Sequence, residues 1–302
     1  MNTSPLVEVV VPTFNQADFL KTAIQSVVRQ THANWKMTVV NNCSSDSTRE
    51  VVESFGDSRI TIVDFANQGV IAASRNLGLR AAVGEFIAFL DSDDWWYEEK
   101  LERCVQSLSA GGDIVCHAEL WRSETSERVV RYGPVSRASY QALLMRGNRL
   151  STSAVVGHTE LFRAMGGFSE NPHYVTAEDY DLWLRMARAN SKFVFLDEVL
   201  GVYRIHSTSA SASVERHLAA ELAVVGDHMD IVGSNVLRRR HRRARAFYSA
   251  GRIAQRNRQY LLALRKFLRS IRLSPGIWRV YPALATLVRD ALFSGVSKRE
   301  LE

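Results

Sequence analysis

No stretch of the 302 residues is apolar for the roughly 18 consecutive positions that a membrane-spanning helix needs, so no transmembrane segment is expected. Cysteine is scarce. Cys43, Cys104 and Cys116 are odd in number and fall at unrelated spacings, which excludes a disulfide framework or a zinc pattern and makes a reducing compartment the expectation. The opening "MNTSPLVEVVVPTFN" lacks a basic region, and its apolar run is interrupted by Glu8 and ended by Pro12. It reads as a strand rather than a signal peptide, and a cytoplasmic location follows as the expectation.

The widest gap is in acidic charge: between Ile231 and Arg289 there is no Asp or Glu. Residues 215–302 carry 18 Lys and Arg against 7 Asp and Glu, whereas residues 1–214 carry 20 against 25. The net charge of +6 is therefore a property of the tail, and the larger front part is mildly acidic.

What is present in the front part is alternation. "VEVVVP" (7–12), "WKMTVVNN" (35–42), "RITIVDF" (59–65) and "EFIAFLD" (85–91) are short β-branched or aromatic runs. Segments of helical spacing such as "DFLKTAIQSVVRQ" (18–30) and "ASRNLGLRAAVG" (73–84) separate them. Strands alternating with helices predict a parallel sheet covered on both faces, with ligands at the carboxyl ends of the strands. After residue 112 the pattern turns mixed: a hairpin at "SETS", a helix near 136–146, a strand near 152–156, the amphipathic helix "AEDYDLWLRMARAN" (177–190), and a strand in "LDEVLGVYRIHSTSAS". The Ser/Thr-rich end of that last segment marks the expected boundary between a domain at 1–212 and a helical region at 213–302. Within the tail, residues 246–275 fit one tetratricopeptide-like hairpin through Phe247, Gly251, Ala254, Ala263, Phe267 and Pro275. A lone hairpin cannot bury its own apolar face, so docking on the front domain is expected.

Three polar clusters close the predicted strands: "PTFN", "NNCSSDS" and "DSDD". Asp91 and Asp93, two residues apart beyond a strand, can both reach one hard cation, and magnesium or manganese relieves their repulsion. A metal held by so few carboxylates takes its other ligands from water and substrate phosphates, which points to a nucleoside diphosphate. Asp94 reads as the N-cap of a helix beginning at Trp95. "AEDYDL" offers Glu178, Asp179 and Asp181, either as a general base for a hydroxyl or as first-turn helix charges.

In order and spacing, "PTFN", "VVNNCSSDST", "NQGVIAASRNLGLRAAVGEFIAFLDSDD", "GGF" with "AEDYDLWLR", and "YRIHSTSAS" resemble family-2 glycosyltransferases over about residues 6–211. The resemblance implies an α/β chain of the GT-A nucleotide-diphospho-sugar transferase fold, a Rossmann-like mixed sheet flanked by helices, here followed by an α-helical C-terminal region. It implies an inverting, metal-dependent transfer of sugar from a nucleoside-diphosphate sugar to a glycan or lipid-linked acceptor, as in bacterial surface polysaccharide synthesis. By the family pattern, Asp179 is the catalytic base, and Asp93 and His206 hold Mn2+ or Mg2+. Pro12, Thr13, Asn15, Asn41, Asn42, Ser44, Asp46, Arg75, Asp91 and Ser92 form the donor site, with Asp91 facing the ribose. The chain departs from the family where Asn41, Asn42, Cys43 and Ser44 replace Asp-Asp-Gly-Ser. An amide can still accept from a pyrimidine N3–H but without charge assistance, which keeps UDP as the favoured donor and dTDP as the alternative. The Arg-rich "RRRHRRARAFY" (238–248) suits an anionic membrane surface at the cytoplasmic face. A nucleic-acid module, or an inactive sugar-nucleotide-binding protein, is the competing reading.

Overall fold

In a computed structural model, residues 4–206, 213–233 and 235–296 are described. The chain divides into two compact units after residue 209, and the short segment Leu144–Gly147 groups with the second. The Ser/Thr-rich loop expected to mark the boundary lies at 207–212, outside the described residues.

The first half of the front unit alternates as its sequence dictates: β1 (Val7–Thr13), α1 (Ala17–Val28), β2 (Trp35–Asn41), α2 (Thr48–Glu53), β3 (Ile60–Asp64), α3 (Ile71–Ala81) and β4 (Phe86–Phe89). These strands run parallel in the order β3-β2-β1-β4. Every residue of β1 and β4 is buried, as expected of strands covered on both faces by helices. The apolar stripe of α1 presents Leu20, Ala23, Ile24 and Val27 to the cluster that contains Val9, Val11, Met37 and Val39.

The second half comprises β5 (Trp95–Trp96), α4 (Lys100–Ser109), β6 (Ile114–Arg122), β7 (Glu127–Val130), α5 (Tyr140–Arg146), β8 (Val155–His158), α6 (Thr159–Ala164), α7 (Glu178–Arg188) and β9 (Phe193–Arg204). It extends the sheet to β3-β2-β1-β4-β8-β6-β9-β5, with β7 on β6, and β8 enters antiparallel. The hairpin turns at Ser123–Ser126, where "SETS" predicts it. One expectation is corrected: Trp95 does not begin a helix. Trp95 and Trp96 pair with Val202 and Gly201 of β9, the Trp96 indole donates to the Ser153 carbonyl (2.8 Å), and the helix starts at Lys100. Long-range strand pairing here overrides a local helix signal.

The "GGF" turn before α7 explains its own glycines. Gly166 and Gly167 take positive φ (76° and 71°), and a Cβ on Gly167 would strike the Asn76 side chain. Asn76 clamps the turn by accepting from Phe168 N–H and donating to the Phe168 carbonyl, both at 2.8 Å. Arg185 of α7 holds the turn from the other side through the Met165 and Gly167 carbonyls.

The second unit contains α8 (Val214–Asp227), α9 (Val236–Arg256), α10 (Tyr260–Leu273) and α11 (Val280–Val296). α9 and α10 form the predicted hairpin, in which Gly251 lets Phe267 approach and Ala254 and Ala263 are fully buried. Its apolar face is filled from within the unit, by Val214 and Leu218 of α8 and by Val280, Ala283 and Leu287 of α11. The hairpin thus has partners of its own within the second unit. Among the described residues no helix is long and apolar enough to cross a membrane.

Two stability predictions follow from these packing constraints. Gly167→Ala should cost about 2 kcal/mol or more, from the left-handed backbone together with the Asn76 collision, read as a lowered urea midpoint. Lys100 is fully buried, its Nζ 3.2 Å from the centre of the Trp96 ring, and burial pushes its pKa down from 10.5 to about 7. Between those values the unfolded chain binds the lysine proton more tightly than the native one, so this group's contribution to stability declines as pH falls through that window. Lys100→Met should therefore gain stability relative to wild type on going from about pH 10 to about pH 7; the lost Trp96 contact is the same at both. Urea titrations of both proteins at the two pH values check it, and an unchanged difference would refute it.

Candidate active site

Three residues stand in one register across the carboxyl ends of the parallel strands: Thr13 on β1, Asn41 on β2 and Asp64 on β3. Pro12, one step earlier opposite Val40, has no N–H to donate and closes β1. The Thr13 hydroxyl is buried without a hydrogen-bond partner and borders this ledge. The loop after β1 is stitched to the loop after β2. Asn15, at φ 50°, donates its N–H to Ser44 Oγ (2.9 Å) and accepts the Ser45 N–H on its side chain (2.8 Å).

The two asparagines where the family pattern has aspartates serve as connectors. Asn41 donates to Asp64 Oδ1 (2.8 Å) and accepts Ser44 N–H (3.1 Å), while Asn42 accepts Asn67 N–H (2.9 Å). Asp64 is also paired with Arg49, and the bonds from Asn41 and Arg49 hold its carboxyl below the usual range. An acidic group thus does occupy this ledge, one strand away from where the family pattern places it. The only sequence signal for it was the terminal "VDF" of the third strand run. Asp46 is a post for the backbone: it accepts from Ala17 N–H (2.9 Å) and from the Thr48 hydroxyl (2.6 Å). Burial opposes its ionisation, but these hydrogen bonds keep its pKa lowered.

The acidic stretch after β4 separates into distinct environments. Asp91 Oδ1 accepts from Arg75 Nη2 at 2.6 Å, and Arg75 Nη1 donates to Glu178 Oε1, also at 2.6 Å. Arg75 is buried, with its guanidinium 5.3 Å from the Phe168 ring centre, and it joins the loop after β4 to the start of α7. Burial raises the Asp91 pKa, with Arg75 opposing and Asp93 adding to the rise. Burial also disfavours the charged Arg75, yet Asp91 and Glu178 outweigh it and raise its pKa. Ser92 donates to Gln16 (2.5 Å), tying this loop to the one after β1. Asp93 Oδ2 lies 2.8 Å from His206 Nε2, and the His206 ring rests against Phe19 with centroids 5.0 Å apart.

Asp94 is not a helix cap. It is buried, accepts from Ser153 Oγ (2.6 Å) and from Arg204 N–H (2.9 Å), and burial, with Asp93 and Glu119 nearby, pushes its pKa well up. Ser153 in turn accepts Asp91 N–H (3.1 Å), so one serine organises two members of the cluster.

At the start of α7 the three acids also diverge. Glu178 is the buried partner of Arg75, and Asp181 pairs with Arg185 at 2.9 Å. Asp179 is half-buried; its Oδ2 accepts from Asn148 (3.1 Å) and Thr152 (3.4 Å), and its Oδ1 accepts Tyr180 N–H (2.6 Å). Residues that sequence reasoning passed over complete the site. Arg204 donates its Nε–H to the Asp93 carbonyl (3.0 Å), and its guanidinium sits between Phe19 and Trp95, 4.6 and 4.7 Å from the ring centres. Its signal was present in "YRIH", two positions before His206. His117 lies in the core, where burial lowers its pKa to about 3, and it takes no part.

Asp93 and His206 offer one carboxylate and one imidazole at a common point, and among the described residues no three acidic, histidine or cysteine side chains converge. A hard carboxylate oxygen beside a borderline imidazole nitrogen fits manganese, or magnesium held chiefly through the carboxylate, with the other ligands from water and phosphate oxygens.

Comparison with known proteins agrees with this architecture. A solved mannosyltransferase, PcManGT from Pyrobaculum calidifontis in complex with GDP-Man and Mn2+, superposes with a TM-score of 0.62 over 96% of this chain and 81% of its own, at 19% identity. Residues 1–349 of S. aureus TarS, solved with UDP, superpose with a TM-score of 0.59 over 98% of this chain and 92% of theirs, at 17% identity. In sequence, the Escherichia coli UDP-Glc:alpha-D-GlcNAc-diphosphoundecaprenol beta-1,3-glucosyltransferase WfgD is 30% identical over 229 residues, covering 74% of this chain and 87% of that protein. The family model for glycosyl transferase family 2 matches residues 8–165, more than half of the chain, and the fold is that of its GT-A neighbours: the chain belongs to glycosyl transferase family 2.

Proposed function

We propose that this glycosyltransferase moves a sugar from a nucleoside-diphosphate sugar to a hydroxyl of a glycan or lipid-linked acceptor, with inversion and with a divalent cation, in bacterial surface polysaccharide synthesis. The observation that carries the reading is the Arg75 bridge. It ties the segment holding Asp91 and Asp93 to the segment holding Asp179, so donor-side and acceptor-side carboxylates belong to one rigid constellation.

In this reading Asp179 takes the proton of the acceptor hydroxyl as the oxygen's lone pair forms the bond to the anomeric carbon. The bond from that carbon to the diphosphate oxygen breaks with its electron pair, and one displacement inverts the centre. Asp93 and His206 hold Mn2+ or Mg2+, which when bound neutralises charge on the diphosphate. Asp91, oriented by Arg75, faces the ribose hydroxyls. Thr13, Asn15, Asn41 and Asn42 line the nucleoside end, where Pro12, Ser44, Ser92 and Asp46 hold the loops in place. Arg204, with its guanidinium clamped beside Asp93, adds a fixed positive charge on the leaving-group side. UDP is the favoured nucleotide and dTDP the alternative. A lipid-linked acceptor is supported by the acceptor in the name of the Escherichia coli relative; on this reading the chain works at the cytoplasmic face of a membrane, with its basic tail toward anionic lipid.

Asp179→Asn should retain donor binding and lower transfer by about a hundredfold to ten-thousandfold, measured as acceptor-dependent nucleoside diphosphate release. Asp93→Ala should abolish the manganese-dependent rise in melting temperature seen with nucleoside diphosphate, as well as transfer. An active Asp179→Asn enzyme removes that residue as the base, and an Asp93→Ala protein that still shows the manganese effect removes the metal assignment. Screening UDP, dTDP, GDP and ADP with manganese by thermal shift should give the largest stabilisation with a pyrimidine nucleotide. A purine preference would refute the donor reading.

A further inference from the structure

The Arg-rich run of α9 is the obvious membrane-facing element in the sequence, yet several of its guanidiniums are taken up by hydrogen bonds within the unit. Arg242 is buried, donating to the Leu144 carbonyl and pairing with Glu221 at 2.6 Å. Arg239 caps the Gly233 carbonyl (2.8 Å), and Arg240 and Arg245 reach the carbonyls of Arg272 and Arg146, both at 3.3 Å. Burial and neighbouring arginines lower the pKa of Arg245. These guanidiniums close helix ends and turns inside the unit.

The outward-facing surface is on α10. Its inner side, Ala263, Phe267 and Ser270, is buried, and Lys266 is drawn to Glu215 of α8. The other side carries Leu261, Leu264 and Leu268, which are 75%, 38% and 54% exposed, together with the exposed Arg265, Arg269 and Arg272. By the 3.6-residue period these six fall on one side of the helix. Just past the end of α10, Trp278 and Tyr281 are also exposed, aromatic residues of the kind that settle at a bilayer's headgroup level.

We infer that the outer face of α10 is an interfacial docking surface for an anionic lipid bilayer. Leu261, Leu264 and Leu268 enter the headgroup–acyl boundary, and Arg265, Arg269 and Arg272 bind lipid phosphates. Charge decides among the occupants. A second copy would set the same arginines against each other with no acidic residue on α10 to answer them, and a nucleic acid would leave the three leucines in water. An anionic bilayer satisfies both the guanidiniums and the leucines. Docking places the enzyme on the surface where a lipid-linked acceptor is confined; that consequence rests on the acceptor proposed above, whereas the docking does not.

The test is co-sedimentation of the full chain with vesicles of phosphatidylcholine alone or mixed with phosphatidylglycerol. Wild type should bind the mixed vesicles and leave the neutral ones largely unbound. Changing Leu261, Leu264 and Leu268 together to Gln should weaken partitioning at least about tenfold while leaving helicity and melting temperature unchanged, because all three are solvent-facing. Arg265→Gln with Arg272→Gln should weaken it roughly fivefold for each charge removed, with reduced salt dependence. Arg238→Gln with Arg243→Gln, exposed positions on α9, should have a smaller effect than either. Equal binding of wild type to both vesicle types, or wild-type binding by the triple-leucine variant, overturns the inference. Nucleoside-diphosphate-induced melting shifts, run on the same proteins without lipid, report separately on the donor site.

Discussion

The buried guanidinium of Arg75 is the constraint on which the rest of the site depends. Removing a cation from water costs several kcal/mol unless its partners are well placed. Here the partners come from segments 16 and 103 residues away, Asp91 and Glu178. The bridge works only if α3, the loop after β4 and the first turn of α7 meet at one point. Two neighbouring elements answer to the same requirement. Asn76, the next residue on α3, clamps the Gly166–Gly167 turn, and Arg185, on α7, holds that turn from the opposite side. The glycines are needed because the turn must pass close to Asn76 in the left-handed region. A structural ion pair, a tight turn and a pair of acidic motifs thus reduce to one packing problem.

The acidic stretch after β4 shows why one sequence cluster serves several ends. Asp91, Asp93 and Asp94 would repel one another strongly if equivalent, and the fold keeps them from being so. Asp91 faces a buried arginine, Asp93 faces a partly buried histidine, and Asp94 is turned into the core against Ser153 and the backbone of Arg204. Burial pushes the Asp94 pKa well up, with Asp93 and Glu119 adding to the rise, while Ser153 donates to the carboxyl and opposes it. Arg75 offsets part of the repulsion between Asp91 and Asp93 by pairing with Asp91.

Much of this is legible in the amino-acid sequence. The alternation of β-branched runs with helical spacing gave the parallel half-sheet within a residue or two of its bounds, because the central strands β1 and β4, buried on both faces, leave few choices of residue. Polar clusters at strand ends marked the site for the same reason: a parallel sheet brings those ends together. What was not legible depended on partners distant in sequence. Trp95 and Trp96 follow acidic residues as a helix start would, and only pairing with Val202 and Gly201 makes them a strand. Asp64 gave no local sign of meeting Asn41, and "RRRHRRAR" cannot reveal which guanidiniums will be taken up by carbonyls of the same unit. Charge counted along a chain measures what is available, while burial and hydrogen bonding determine what reaches the surface.

The asparagine pair at the end of β2 shows how a departure from a family pattern can be absorbed. A carboxylate accepts from any direction its two oxygens allow, whereas an amide must also present the correct end, and a flipped amide would meet an N–H donor with its own N–H. Asn41 is fixed against flipping from both sides: its nitrogen is held by the Asp64 carboxylate and its oxygen by Ser44 N–H. Arg49 in turn holds Asp64 and keeps it ionised, so the orientation is set by a charge-assisted bond. On the donor reading proposed above, the negative charge that the family pattern puts on β2 is moved to β3 and acts through Asn41. The ledge keeps its acidity next to the nucleoside end, and the group nearest the base becomes a neutral amide with both a donor and an acceptor face. On that same reading, nucleobase preference would depend on how rigidly Arg49 and Asp64 hold one asparagine side chain.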